Sequence, residues 1–274
     1  MSEPIIPNML RSRIIEAING NTRFDGRKLS EYREIKIERG ISKNAESAVK
    51  VSFGKTEVLA GVKMGLAEPY PDSRDEGTFM TTVELHPMAS NDFEMGKPGI
   101  QSVEFARIID RGIRESGFID FKKLCITEGE KVWQVFLDIF AINNDGNLLD
   151  VMGLAAIVAL GSAKLPVYNK KEDKIEHELS KDSLPLVKEN LSFNMTLHKI
   201  GEKIVADVSK EEESISSYRM SVAMGEAKES PRITAMQKGK EGAISPEDME
   251  NILNTAELKL KEMFPRVKEE VFGK

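Results

Sequence analysis

The most constraining feature of this chain is the stretch 148–163, which carries one charged residue, Asp150, and one serine, Ser162, among Leu, Val, Ile, Met, Ala and Gly. A helix that is apolar all round must be buried on every side. At this length it is too short to cross a bilayer, which takes about 20 apolar residues. Residues 148–163 therefore predict a core helix. No run of roughly 18 apolar residues occurs elsewhere, so no membrane span is expected.

Amphipathic patterns surround that core element. Residues 9–18 place Leu10, Ile14 and Ile18 four apart and predict a short helix ended by Asn19-Gly20-Asn21. Period-two alternation then predicts strands: Ile35 and Ile37; Val49, Val51 and Phe53; Val58, Ala60, Val62 and Met64; Phe79, Thr81, Val83 and Leu85. The polar segment 68–77, with two prolines, reads as a surface loop. A helix is expected at 102–115, and the apolar run 132–142 predicts a central strand buried on both faces. Strands recur at 191–197, 203–208, 220–224 and 232–236. A closing helix starts after Ser245, with Pro246 in its first turn and Glu247 and Asp248 facing the helix dipole. Pro265 is expected to interrupt it and leave 266–274 as a frayed tail.

The order is strand block, helices, strand block, helix. It predicts an α+β chain of two similar halves with N-terminal and C-terminal helices. Residues 1–30 form a helix and linker, 31–180 a first half, and 181–274 a second half with the last helix, in one compact unit. The junction of the halves falls between Leu165 and Leu184.

Composition narrows function. The 274 residues include 39 Lys and Arg against 45 Asp and Glu, a formal charge of −6. A chain that binds nucleic acid along its whole surface would be basic, so any such contact must be a local patch or be shared with a partner. The single cysteine, Cys125, excludes an internal disulfide and fits a reducing compartment. His86, His177 and His198 lack the spacing of a metal site. A soluble, cytoplasmic chain without a metal or cofactor of its own is expected.

Two charged features stand out. At about 100° per residue, Arg107, Arg111 and Arg114 fall within roughly 60° of one another on the helix at 102–115, with Phe105, Ala106, Ile109 and Ile113 nearly opposite. This stripe can hold successive phosphates through bidentate hydrogen bonds. It can equally be a solvated face with Asp110 and Glu115 in local ion pairs. The second is the acidic run from Asp207 through Glu211, Glu212 and Glu213, which reads better as a solvated charge run than as a Mg²⁺ site.

Several segments together resemble the RNase PH family. Arg23-Phe24-Asp25-Gly26-Arg27 matches its R-x-D-G-R signature, Ala48-Val49-Lys50-Val51 through Gly54-Lys55-Thr56-Glu57-Val58-Leu59 its first hairpin, and Glu104-Phe105-Ala106-Arg107 through Arg111 its long helix. Asp207, Glu211-Glu212 and Ser221-Val222-Ala223-Met224 follow in the second half. The resemblance spans about residues 20–245. It implies a pair of βαβα halves and, for active members, 3′-to-5′ phosphorolysis of RNA.

The same resemblance exposes three departures. Active members carry Arg-Arg where this chain has Ile100 and Gln101. Their Asp-Gly-Gly-Ser/Thr-Arg run is Asp145-Gly146-Asn147-Leu148-Leu149 here, and the Asp before their last V-A strand is Arg219. Each replacement removes a phosphate ligand, a hydroxyl or a carboxylate. The pattern resembles the non-catalytic subunit of the archaeal exosome. That implies an active RNase PH-like sister, three heterodimers in a hexameric ring, RNA-binding cap proteins and single-stranded RNA held by Arg107 and Arg111, with Arg114 beside them. No residue of this chain is then catalytic. The alternatives are a self-sufficient phosphorolytic exoribonuclease using Asp207 or Glu211, and an unrelated α+β domain sharing only the fold.

Overall fold

The computed structural model describes residues 7–170, 172–226 and 231–273, without the side chain of His177. Helix α1 (Asn8–Asn19) leads into strands β1 (Ile35–Arg39), β2 (Ser47–Phe53), β3 (Thr56–Ala67) and β4 (Thr78–Leu85). Helix α2 (Ile100–Ser116), β5 (Cys125–Thr127), β6 (Lys131–Asn143) and α3 (Leu148–Ser162) follow. Then come β7 (Lys164–Asn169), β8 (Lys174–Ser183), β9 (Ser192–Ile200), β10 (Lys203–Ala206), α4 (Lys210–Ile215), β11 (Tyr218–Gly225), β12 (Arg232–Gly239) and α5 (Pro246–Phe272).

Two sheets carry the α+β architecture. The first runs β1-β2-β3-β6-β4 with β5 added to β6, and only β4 is parallel to its neighbour. The second is antiparallel throughout in the order β10-β9-β11-β12. Helix α3 is the common core element: every residue from Leu148 to Leu160 is buried. It packs on β2 and β3 of one sheet, β9 of the other, and α5. One continuous hydrophobic core thus joins both halves. A smaller cluster seats Ile14 and Ile18 of α1 on Ile200 and Val205 of the second sheet.

Three expectations need correction: the end of α5, the acidic run and the end of β10. Helix α5 continues through Pro265 to Phe272. Proline removes one backbone hydrogen bond and crowds the preceding turn. Here Phe264, Val267 and Val271 are buried, Arg266 donates to the Ile35 carbonyl at 2.8 Å, and Arg39 meets Glu270 at 2.7 Å, so tertiary contacts hold the last turns. Within 165–184 the chain forms the β7–β8 hairpin, anchored by Tyr168 against Trp133. The acidic run is not a solvated loop: α4 has a capping box between Ser209 and Glu212, and Glu212 is buried. Strand β10 also stops at Ala206, because Asp207 turns the chain at φ 44°.

Candidate nucleic-acid interface

Helix α2 forms one wall of a groove. Its buried side, which includes Phe105, Ile108, Ile109, Gly112 and Ile113, rests on β4 and on strands of the second sheet. Gly112 permits that approach, since a Cβ there would lie 3.2 Å from Asn194 Oδ1 and 3.3 Å from the Ala223 Cβ. The opposite side presents Arg107, Arg111 and Arg114, all exposed as the periodicity requires. The three differ in what they touch. Arg114 donates to Asp110 at 3.1 Å and to the Phe79 carbonyl at 3.0 Å, and its guanidinium lies over the Phe79 and Phe121 rings at 5.7 and 5.6 Å. It pins α2 to β4. Arg107 and Arg111 have no hydrogen bond or ion pair among the described residues, and both face a groove of about 990 Å³ between α2 and β4. Two guanidiniums with open donors beside a groove of this size can take oxyanions of an extended ligand.

The three departures have definite surroundings. Ile100 opens α2 at 88% exposure, and Gln101 lines the groove; neither supplies a charge. Leu148 and Leu149 are both buried at 3%, so their side chains belong to the core. The turn before them has Gly146 at φ 89° and Asn147 at φ 57°. Its donors are satisfied within the chain. The Asp145 amide donates to Thr56 Oγ1, that of Gly146 to Asn144 Oδ1 and that of Asn147 to Glu213 Oε2, each at 3.1 Å. A phosphate would have to displace these oxygens to use that turn. Arg219, buried in β11, meets Glu104 of α2 at 2.7 Å and lies over the Phe105 ring at 5.5 Å. A guanidinium here repels a divalent cation, and no cluster of three or more His, Cys, Asp or Glu suited to a metal occurs among the described residues. The described residues do not fit a divalent metal site.

Residues 31–166 match the model of the 3′ exoribonuclease family, domain 1, and residues 195–257 match domain 2 of the same family. The chain belongs to the RNase PH-type 3′ exoribonuclease family. Within it, the chain is 41% identical to an exosome complex component Rrp42 of Methanothermobacter thermautotrophicus, with 94% of each chain covered. It is 39% identical to the Rrp42 of Thermococcus kodakarensis over 95% of this chain and 94% of that one. Among solved structures it is similar to a chain of an Archaeoglobus fulgidus exosome with RNA bound to the active site. The TM-score is 0.82 at 37% identity, covering 94% of this chain and 98% of that chain. Family membership removes the alternative of an unrelated α+β domain.

The family signature is structural in this member. Arg23 is buried, donates to Glu212 at 3.0 Å, and also reaches the carbonyls of Ala206 and Asp207. Arg27 and Arg33 each lie 2.8 Å from the Asp207 carboxylate, which also accepts from Asn147 at 2.8 Å. Burial works to raise the Asp207 pKa, and the hydrogen bonds and charge of Arg33, with Asn147, outweigh it and hold the carboxyl below its usual range. Asp150 next to it shows the opposite balance. Its fully buried carboxyl is pushed up to about 6 by desolvation, although it accepts from Thr196 N, Tyr32 and Asn147. These carboxylates are occupied in holding segment 23–33 to α3 and α4. Sequence reading missed this, because the partners lie more than a hundred residues apart; the one signal was two arginines in a signature on an acidic chain.

Proposed function

We propose that this chain is a non-catalytic subunit of an archaeal-type exosome. It pairs with an active RNase PH-like sister, three heterodimers close a hexameric ring, and the ring degrades RNA from the 3′ end by phosphorolysis in the cytoplasm. Cap proteins that bind RNA sit on the ring. The chain shapes the sister's active site and contributes Arg107 and Arg111 to single-stranded RNA, with Arg114 holding the helix that carries them. Family membership and the Rrp42 relatives support the assembly.

The observation that carries the silent role is the ion pair of Arg219 with Glu104 at the position where active members carry a carboxylate. Phosphorolysis needs charge neutralisation at the transferring phosphorus and a nearby carboxylate. The pair removes the carboxylate, Ile100 and Gln101 remove the charges, and the turn at 145–147 has its amide donors engaged. Mixing the purified chain with the active sister and measuring mass in solution tests the assembly. A species of three heterodimers is expected, and two separate chains at micromolar concentration would contradict it.

A further inference from the structure

The stripe contains an acid that the guanidinium count overlooks. At about 100° per residue, Glu104 lies roughly 20° from Arg111 and 60° from Arg107 around α2. It is three residues before Arg107, a spacing at which Glu and Arg pair on a helix surface. A Glu104 left to itself would neutralise Arg107 and repel a phosphate at Arg111. The structure shows it elsewhere: its carboxylate lies 2.7 Å from the Arg219 Nη2, across the seam between α2 and β11.

The surroundings of Arg219 are arranged for this reach. Gly239 of β12 sits directly opposite it in register, and a Cβ at Gly239 would overlap the Arg219 Nε and Cγ. The Phe105 ring lies under the guanidinium, and Ser221 Oγ is 3.4 Å from its Nη1. On the other side the register partner is His198, whose imidazole is fully buried; burial first, then the charges of Arg219 and Lys240, keep it neutral. One mobile side chain is thereby held with its charge directed at Glu104.

We infer that Arg219 is a positioning residue for RNA binding: it sequesters Glu104 and so keeps that acid from pairing with Arg107 and Arg111. The inference rests on the proposed role of the stripe and adds a reason why the position lost from the reaction carries a guanidinium. A neutral residue would suffice to remove catalysis; the guanidinium here also holds an acid of the stripe away from Arg107 and Arg111.

The test uses the ring assembled with the active sister and a fluorescent single-stranded oligoribonucleotide at moderate salt, with assembly checked by mass. R219M keeps an unbranched stem in the pocket and leaves the half-exposed Glu104 free. RNA binding should weaken about fivefold, the effect of one unit charge about 4 Å from a phosphate in water. Adding E104Q should restore it to the wild-type value, a rescue that a merely structural role for Arg219 does not give. Wild-type affinity for R219M, or an R219M/E104Q ring as weak as R219M, overturns the inference. If R107E/R111E weakens binding while R219M does not, this inference alone fails. If neither does, the reading of the stripe fails and this one with it.

Discussion

The buried carboxylate of Asp207 lies 2.8 Å from the guanidinium of Arg33. Arg33 continues from there to the carbonyls of Asp145 and Gly146, at 2.9 and 3.0 Å, so one arginine ties the turn before α3 to the turn before α4. Removing one partner of a buried ion pair strands the other charge and costs about 3–5 kcal/mol. D207N should lower stability by that order in chemical denaturation. Because the folded-state carboxyl is held below its usual value, the contribution is present above the unfolded pKa of about 3.9 and is lost as pH falls through the folded value. The gap between wild type and D207N should therefore close in acid. A gap that stays constant down to pH 2 would argue against the assignment.

Asp150 predicts the reverse slope. Its folded-state pKa is raised from 3.8 to about 6, so the folded chain holds the proton more tightly than the unfolded chain. Its contribution is most favourable below the unfolded value and is lost as pH rises toward 6. A shift of two units corresponds to roughly 3 kcal/mol at most. Between pH 4 and pH 7 the stability of D150N relative to wild type should move in the variant's favour by up to that amount. Parallel pH–stability curves for the two proteins would show that Asp150 titrates normally.

Local pattern made much of the fold legible. The almost uncharged α3, the alternating strands and the polar stripe of α2 all follow from local pattern, which depends only on near neighbours. What the sequence hid was long-range. The β7–β8 hairpin is highly charged, and Tyr168 meeting Trp133 cannot be read from spacing. Pro265 reads as a breaker until Val267 and Val271 are seen buried. The exposure of Arg107 and Arg111 was readable along one helix, but the capture of Glu104 by Arg219 was not, since it joins residues from opposite halves of the chain.

The open guanidiniums give a prediction on affinity. In the assembled ring, R107E/R111E should weaken binding of single-stranded RNA at least about tenfold. Its dependence of log affinity on log salt should be shallower by roughly 1.4, the value for two lost phosphate contacts on a single strand. RNA decay should slow while the ring stays intact. An unchanged salt slope would exclude phosphate contacts by these two residues.

The most direct test of the silent role is phosphorolysis by the purified chain alone. A 3′-hydroxyl oligoribonucleotide is incubated with inorganic phosphate and either the chain, its active sister, or the assembled ring, and released nucleoside diphosphates are measured. The account predicts no release by the chain alone and full release by the ring. Sustained phosphate-dependent release by the chain without its sister would contradict it.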